Sequence, residues 1–294
     1  MNPGALFCFG LGYSAGFLAR SLAAEGWRVA GTSREGGAAP DGTRLERFTR
    51  GAPLADAGAM LGRTTHLLIS VPPDDGGDPV LVEHAREIAA LPDLVWLGYL
   101  STTGVYGDRS GGWVDESAPL LPTGERGRRR VAAEQGWLEL QREHGVPVHV
   151  FRLAGIYGPG RSALDTVRSG RAQRIDKPGQ VFSRIHVADI AQVLRASMAR
   201  PAPGRVYNLC DDDAAPPEVV IAEACRLIGV APPPLIPFAE ARLSPMARSF
   251  YDDNKRVSNR RLKEELGIRL LYPSYRDGLK ALLHDERASS SLRQ

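Results

Sequence analysis

Gly10-Leu11-Gly12-Tyr13-Ser14-Ala15 has the spacing G-x-G-x-x-A, which suits a backbone that must approach a pyrophosphate. Gly10 permits a tight turn, Gly12 removes the side chain that would keep a phosphate away, and small Ala15 lets a helix pack close to a strand. A helix beginning there turns unpaired N–H groups and a partial positive charge toward the anion. Some twenty residues on, Thr32-Ser33-Arg34 occupies the place where an NAD site usually puts Asp or Glu against the ribose 2′-hydroxyl. Two hydroxyls and a guanidinium suit a 2′-phosphate instead, so the expected cofactor is NADP, with NAD as the alternative.

Other residues invite a chemical reading more weakly. Arg126, Arg128, Arg129 and Arg130 form a basic run, with Arg161, Arg168 and Arg171 further on. They describe either a pocket for a phosphate or carboxylate or a solvated helix face. No pattern of stacking aromatics accompanies them, so nucleic acid is not an expected partner. His84 falls in an apolar helical spacing and reads as a packing residue. His186 and Asp189 read as the start of a helix. Cys8, Cys210 and Cys225 are scattered without metal-ligand spacing, so no metal is expected and a reducing compartment is.

These residues need a scaffold, and the chain has the size for one. Its 294 residues are 43% hydrophobic and 24% charged, with a net charge of +3, which suits a globular core rather than a disordered or strongly nucleic-acid-binding chain. No apolar run approaches the roughly 20 residues that span a bilayer, and no basic leader precedes the first apolar run. A cytoplasmic protein without a membrane partner is expected. Short apolar runs at Ala5–Phe9, Trp27–Gly31, His66–Val71, Leu94–Leu100 and Val146–Leu153, with a weaker one at Arg44–Phe48, predict buried strands. Helices are predicted over Ser14–Ala24, from a cap at Asp78 with Pro79 at the first position, and over Glu125–His144 ended by Gly145. Others are predicted at Val187–Met198, Pro217–Leu227 and Tyr275–His284. The alternation predicts an α/β fold: a Rossmann-type doubly wound parallel sheet over 1–152, with further core elements at about 180–210. Dense Pro and Gly after Leu153 predict a small C-terminal α/β substrate lobe, interleaved over 153–285, and 286–294 reads as a frayed tail.

Several segments, in this order, resemble the short-chain dehydrogenase/reductase superfamily, in its extended NAD(P)-dependent epimerase/dehydratase branch. The glycine loop is the first. Leu100-Ser101-Thr102-Thr103-Gly104-Val105-Tyr106-Gly107 resembles the branch's serine/threonine-rich stretch before VYG. Arg152 to Gly160 resembles its R-x-x-x-x-Y-G-P-G loop, and Arg184 to Ala191 its I-H-V-x-D-x-A segment. The resemblance implies that Thr102 orients a substrate oxygen. It implies that Ser70, Val71 and Pro72 pass the dinucleotide, with Leu153 and Ala154 beside it. Thr103, Gly155, Phe182 and Arg184 would then face the substrate. Asn254 to Asn259 loosely resembles a segment lining that site.

The chain also departs from the branch. Counting back from Ala132-Ala133-Glu134, the catalytic tyrosine position holds Arg126 and the lysine position Arg130. A guanidinium keeps its proton at neutral pH, so Arg126 can stabilise an alkoxide but cannot replace the tyrosine as acid; Arg130 can still grip a ribose or phosphate. Tyr106 is the remaining candidate acid. Phe182 stands where sugar-nucleotide enzymes of the branch often carry a diphosphate-binding arginine. The expected function is therefore an atypical NADP-dependent oxidoreductase or epimerase acting on a small polar or anionic carbonyl or hydroxyl substrate. The alternative is an NADP(H)-binding sensor or scaffold that has lost catalysis. A homodimer formed through the helix carrying Arg126 and Arg130 is the expected assembly if there is one.

Overall fold

The computed structural model describes residues 3–39 and 41–291. Its first half runs β1 (Ala5–Phe9), α1 (Tyr13–Ala23), β2 (Arg28–Ser33), β3 (Gly37–Ala38), β4 (Arg44–Arg47), α2 (Ala57–Leu61), β5 (His66–Ile69), α3 (Pro79–Ala89) and β6 (Trp96–Thr102). A 3₁₀ turn at Thr103–Tyr106 and β7 (Trp113–Val114) lead to α4 (Glu125–His144) and β8 (Val148–Leu153). Then come β9 (Gly155–Tyr157), α5 (Ala163–Arg168), β10 (Arg174–Asp176), β11 (Arg184–His186), α6 (Val187–Ala199) and β12 (Val206–Leu209). The chain closes with α7 (Pro217–Ile228), β13 (Leu235–Pro237), α8 (Pro245–Ser249), β14 (Arg256–Val257), α9 (Arg260–Leu266) and α10 (Tyr275–Ser291).

Eight strands form one sheet in the order β12-β8-β6-β5-β1-β2-β4-β3, parallel except for the β3–β4 pair. The chain winds outward from β1 through β2, then returns to β5 on the other side of β1 and winds the opposite way. The reversal leaves a crevice at the carboxyl ends of β1 and β5, where ligands bind in such sheets. Strand alternation explains the two layers of helices. Leu6 and Cys8 of β1 share a core with Leu18 and Leu22 of α1 and with Ile190 and Leu194 of α6. Phe7 and Phe9, one residue out of phase, join Val80 and Ile88 of α3 and Trp137 of α4 on the opposite face. The expected Rossmann-type sheet is therefore present.

The predicted caps form. Asp78 accepts from the amides of Val80 (2.9 Å) and Leu81 (3.1 Å), and Gly145 ends α4 in the left-handed conformation. The main departure is at the C-terminus. Where a frayed tail from 286 was expected, α10 continues to Ser291, because Leu279 and Leu282 are buried against Leu164, Val220 and Ala224 and anchor the helix. Residues 292–294 lie outside the described residues. Among the described residues no helix is long and apolar enough to cross a membrane.

Candidate active site

The glycine loop is built as its spacing predicts. Gly10 sits at φ +84°, and a Cβ there would stand 3.1 Å from Val71 Cγ2 and 3.2 Å from the Val71 amide nitrogen, so this turn admits only glycine and lies against the end of β5. A Cβ at Gly12 would meet nothing within 4 Å: its place is open space at the head of α1, whose first turn has no side-chain cap. That combination is a cradle for a phosphate. Ala15 is fully buried and Ser14 nearly so, which leaves the backbone amide of Ser14 as its means of contact.

The second strand corrects part of the reading. Thr32 was expected to face the cofactor, but it is 1% exposed and its Oγ1 accepts from the Gly10 amide at 2.9 Å, while its carbonyl accepts from Leu11 at 2.8 Å. Thr32 holds the glycine loop in shape instead. Ser33 Oγ accepts from the Gly36 amide at 2.8 Å and so shapes the next turn. Arg34 is exposed.

Beyond the loop, a cleft of about 900 Å³ opens off the carboxyl ends of β6 and β8. It gathers Pro72, Thr102, Thr103, Arg126, Arg130, Leu153, Ala154, Gly155, Phe182 and Arg184 of the sequence-predicted residues. Gly10 to Ala15, Thr32 to Arg34, Ser70 and Val71 lie outside its lining. Thr102 Oγ1 accepts from the Gly104 amide at 3.1 Å, which caps the 3₁₀ turn and leaves the hydroxyl proton to donate. Gly127 lets α4 come this close, since a Cβ there would stand 2.9 Å from the Gly104 carbonyl oxygen. The α4 spacing thus places Arg126 and Arg130 along the cleft. The Arg126 guanidinium lies 5.5 Å from the ring centre of Phe250. Arg130 donates to the Leu100 carbonyl and, at 3.3 Å, to the Tyr99 hydroxyl, so part of its fork is committed to β6. Arg184 donates to the carbonyls of Phe182 (2.8 Å) and Ala215 (3.1 Å), and burial lowers its pKa.

Other candidates are excluded or reassigned. Tyr106, the proposed substitute acid, is fully buried off the cleft. Its hydroxyl donates to Asn208 Oδ1 at 2.7 Å and accepts from Arg152 Nη1 at 2.9 Å, and burial pushes its pKa up to about 12. It belongs to a buried network that no spacing in the sequence revealed, centred on the 2.7 Å Arg152–Glu134 ion pair with Ser101 donating to Glu134. The basic run is not one pocket. Arg128 and Arg129 pair with Glu125, Arg129 also with Asp75, and Arg168 with Glu286. His84 is a packing residue: its Nε2 accepts from the Leu54 amide at 3.1 Å, and its ring sits between Phe9 and Phe48. Asp189 accepts from the amides of Leu271 (2.6 Å) and Tyr272 (3.1 Å), and His186 Nδ1 caps α6, so both serve structure. The far wall, which the sequence reading touched only through residues 254–259, adds Thr123, Phe250, Tyr251, Asp253 and Lys255.

Comparison with known proteins bears on the fold. Residues 80–210 match the model of the NAD dependent epimerase/dehydratase family. A functionally unknown conserved protein from Silicibacter pomeroyi is 54% identical over 96% of this chain and 99% of its own, with a TM-score of 0.85. Protein YeeZ of Escherichia coli is 27% identical over 90% of this chain and 94% of its own. The dTDP-glucose 4,6-dehydratase of Bacillus anthracis, solved in complex with NAD, is 16% identical over 96% of each chain, with a TM-score of 0.77, and shares the fold.

Proposed function

We propose that this chain, whose residues 80–210 match the NAD dependent epimerase/dehydratase family model, binds a nicotinamide dinucleotide, with NADP favoured, and acts as an oxidoreductase or epimerase on a small polar or anionic carbonyl or hydroxyl compound. The observation that carries the reading is the open space at Gly12, at the head of α1 and at the sheet's reversal point. The distant dehydratase of the same fold holds NAD, which supports the cofactor class. Arg34, exposed at the end of β2, favours the extra phosphate of NADP.

The amides of the first turn of α1 would hold the pyrophosphate, and Leu153, Ala154 and Arg130 would border the nicotinamide half. When bound, the nicotinamide supplies or accepts a hydride at its C4. The chain's residues supply the rest. Thr102 donates a hydrogen bond from its hydroxyl to the substrate oxygen and fixes its position, and Arg126 places a fixed positive charge beside the charge that develops there. Phe182, Phe250 and Tyr251 supply an apolar part of the cleft lining.

The second reading, a dinucleotide-binding sensor without catalysis, is favoured by the commitment of Arg130 to Leu100 and Tyr99. Thermal-shift titration with NADP⁺, NADPH, NAD⁺ and NADH tests the shared premise. A ligand at about 100 times its dissociation constant adds roughly 2.7 kcal/mol of stability. A shift larger with NADP(H) than with NAD(H) is expected; no shift with any of the four refutes both readings.

A further inference from the structure

An oxygen that gains electrons during carbonyl reduction must also gain a proton, and this cleft lacks the family's usual tyrosine. Arg126 holds its proton too tightly. Tyr106 is sealed in the core. Tyr157 donates to the Ser274 carbonyl at 3.4 Å, and burial raises its pKa; burial raises that of Tyr251 as well. The far wall offers something better. Lys255 lines the cleft yet is only 9% exposed, and its ammonium donates to the Gly107 carbonyl at 2.9 Å and to Asp253 Oδ2 at 2.8 Å. These bonds use two of three N–H groups. The second carboxylate oxygen of Asp253 accepts from the hydroxyl of Thr123, which is exposed at the rim just before Arg126. Thr123, Asp253 and Lys255 therefore form one hydrogen-bonded line in the lining of the cleft that also holds Thr102.

We propose that Lys255, backed by Asp253 and Thr123, protonates the substrate oxygen in place of the missing tyrosine. This rests on the oxidoreductase reading above. In the reducing direction a hydride from a reduced nicotinamide forms the new C–H bond at the carbonyl carbon, and the C=O π pair moves to oxygen. An N–H bond of Lys255 breaks as the O–H bond forms, leaving a neutral amine. That amine regains a proton from water in the cleft once the product leaves, while its bonds to the Gly107 carbonyl and Asp253 keep it in place. The charged groups facing Lys255 are Asp253 and Asp108, and the ammonium helps to hold the Asp108 carboxyl below its ordinary pKa.

The test uses the full chain with pyruvate and glyceraldehyde 3-phosphate, small anionic carbonyl compounds of the proposed class, as probes and NADPH and NADH as hydride donors. Lys255→Arg keeps the charge and a partner for Asp253 but does not release its proton. Its kcat is expected to fall about a hundredfold, with the NADPH dissociation constant unchanged by fluorescence titration. Lys255→Ala is expected to regain kcat on addition of ethylammonium, in proportion to the protonated amine present. Undiminished kcat in Lys255→Arg overturns the assignment, as does failure of rescue in a Lys255→Ala protein that keeps its melting temperature. If the wild-type protein binds NADPH but reduces neither probe, the oxidoreductase reading falls and the role of Lys255 with it, while the dinucleotide site stands.

Discussion

At the scale of single residues, the two glycines of the phosphate loop have different physical jobs that substitution separates. Gly10 is required by its own backbone, at φ +84° and against Val71. Gly12 is required only by what approaches it, because its missing Cβ faces open space. Gly12→Val is expected to leave the melting temperature of the ligand-free protein unchanged while weakening NADPH binding by at least about tenfold, the scale of a lost phosphate contact. Gly10→Val is expected to lower the melting temperature itself. Calorimetric melting of both variants, with and without NADPH, checks the pair. A Gly12→Val protein that binds NADPH normally removes the cradle from the argument.

At the scale of elements, α4 does more than carry Arg126 and Arg130. Its Glu134 reaches across to β8 and forms the buried pair with Arg152, which also holds Tyr106 of the 3₁₀ turn. Removing one partner strands the other charge in a low-dielectric core. Glu134→Ala is expected to cost about 3–5 kcal/mol in urea unfolding. Because the pair orients the turn that follows Thr102, the loss extends to the cleft. A cost similar to that of an ordinary surface substitution contradicts this account. Trp137 of the same helix donates to Asp78 at 3.2 Å, so α3 and α4 are locked to one another by a cap that the sequence had already suggested.

For the whole molecule, buried ionisable groups set opposite limits on stability. Burial pushes His66, His149 and His186 down to about 4. Each titrates near about 6.5 when unfolded, so the fold binds fewer protons between those values. Their contribution is complete above about pH 6.5 and is lost as pH falls through about 4. Asp211 is opposite in sign. Burial pushes its carboxyl up to about 8, and one of its oxygens has no hydrogen-bond partner. Its contribution is complete below the ordinary carboxylate range and is lost as pH rises through about 8. Melting temperatures are therefore expected to fall on both sides of a maximum, and Asp211→Asn to flatten the alkaline side alone. An alkaline limb unchanged in that variant assigns the loss to other groups.

The sequence by itself determined what depends on neighbours in the chain. Alternation of short apolar runs with capped helices gave the parallel sheet, and the G-x-G-x-x-A spacing gave the turn at Gly10 and the opening at Gly12, because turn geometry and helix caps are local. It also placed Thr102, Arg126 and Arg130 on elements that end at one cleft. Strands as short as β7 and β14 carry too few residues to show a period and were not legible. Only the tertiary structure decided what those residues meet. It turned Thr32 inward to the Gly10 amide and sealed Tyr106 behind Arg152. It extended α10 over a buried face and brought Lys255 and Asp253 into the lining of the cleft that holds Thr102. Each of these depends on partners remote along the chain, where burial and hydrogen bonding, not spacing, assign the role of a side chain.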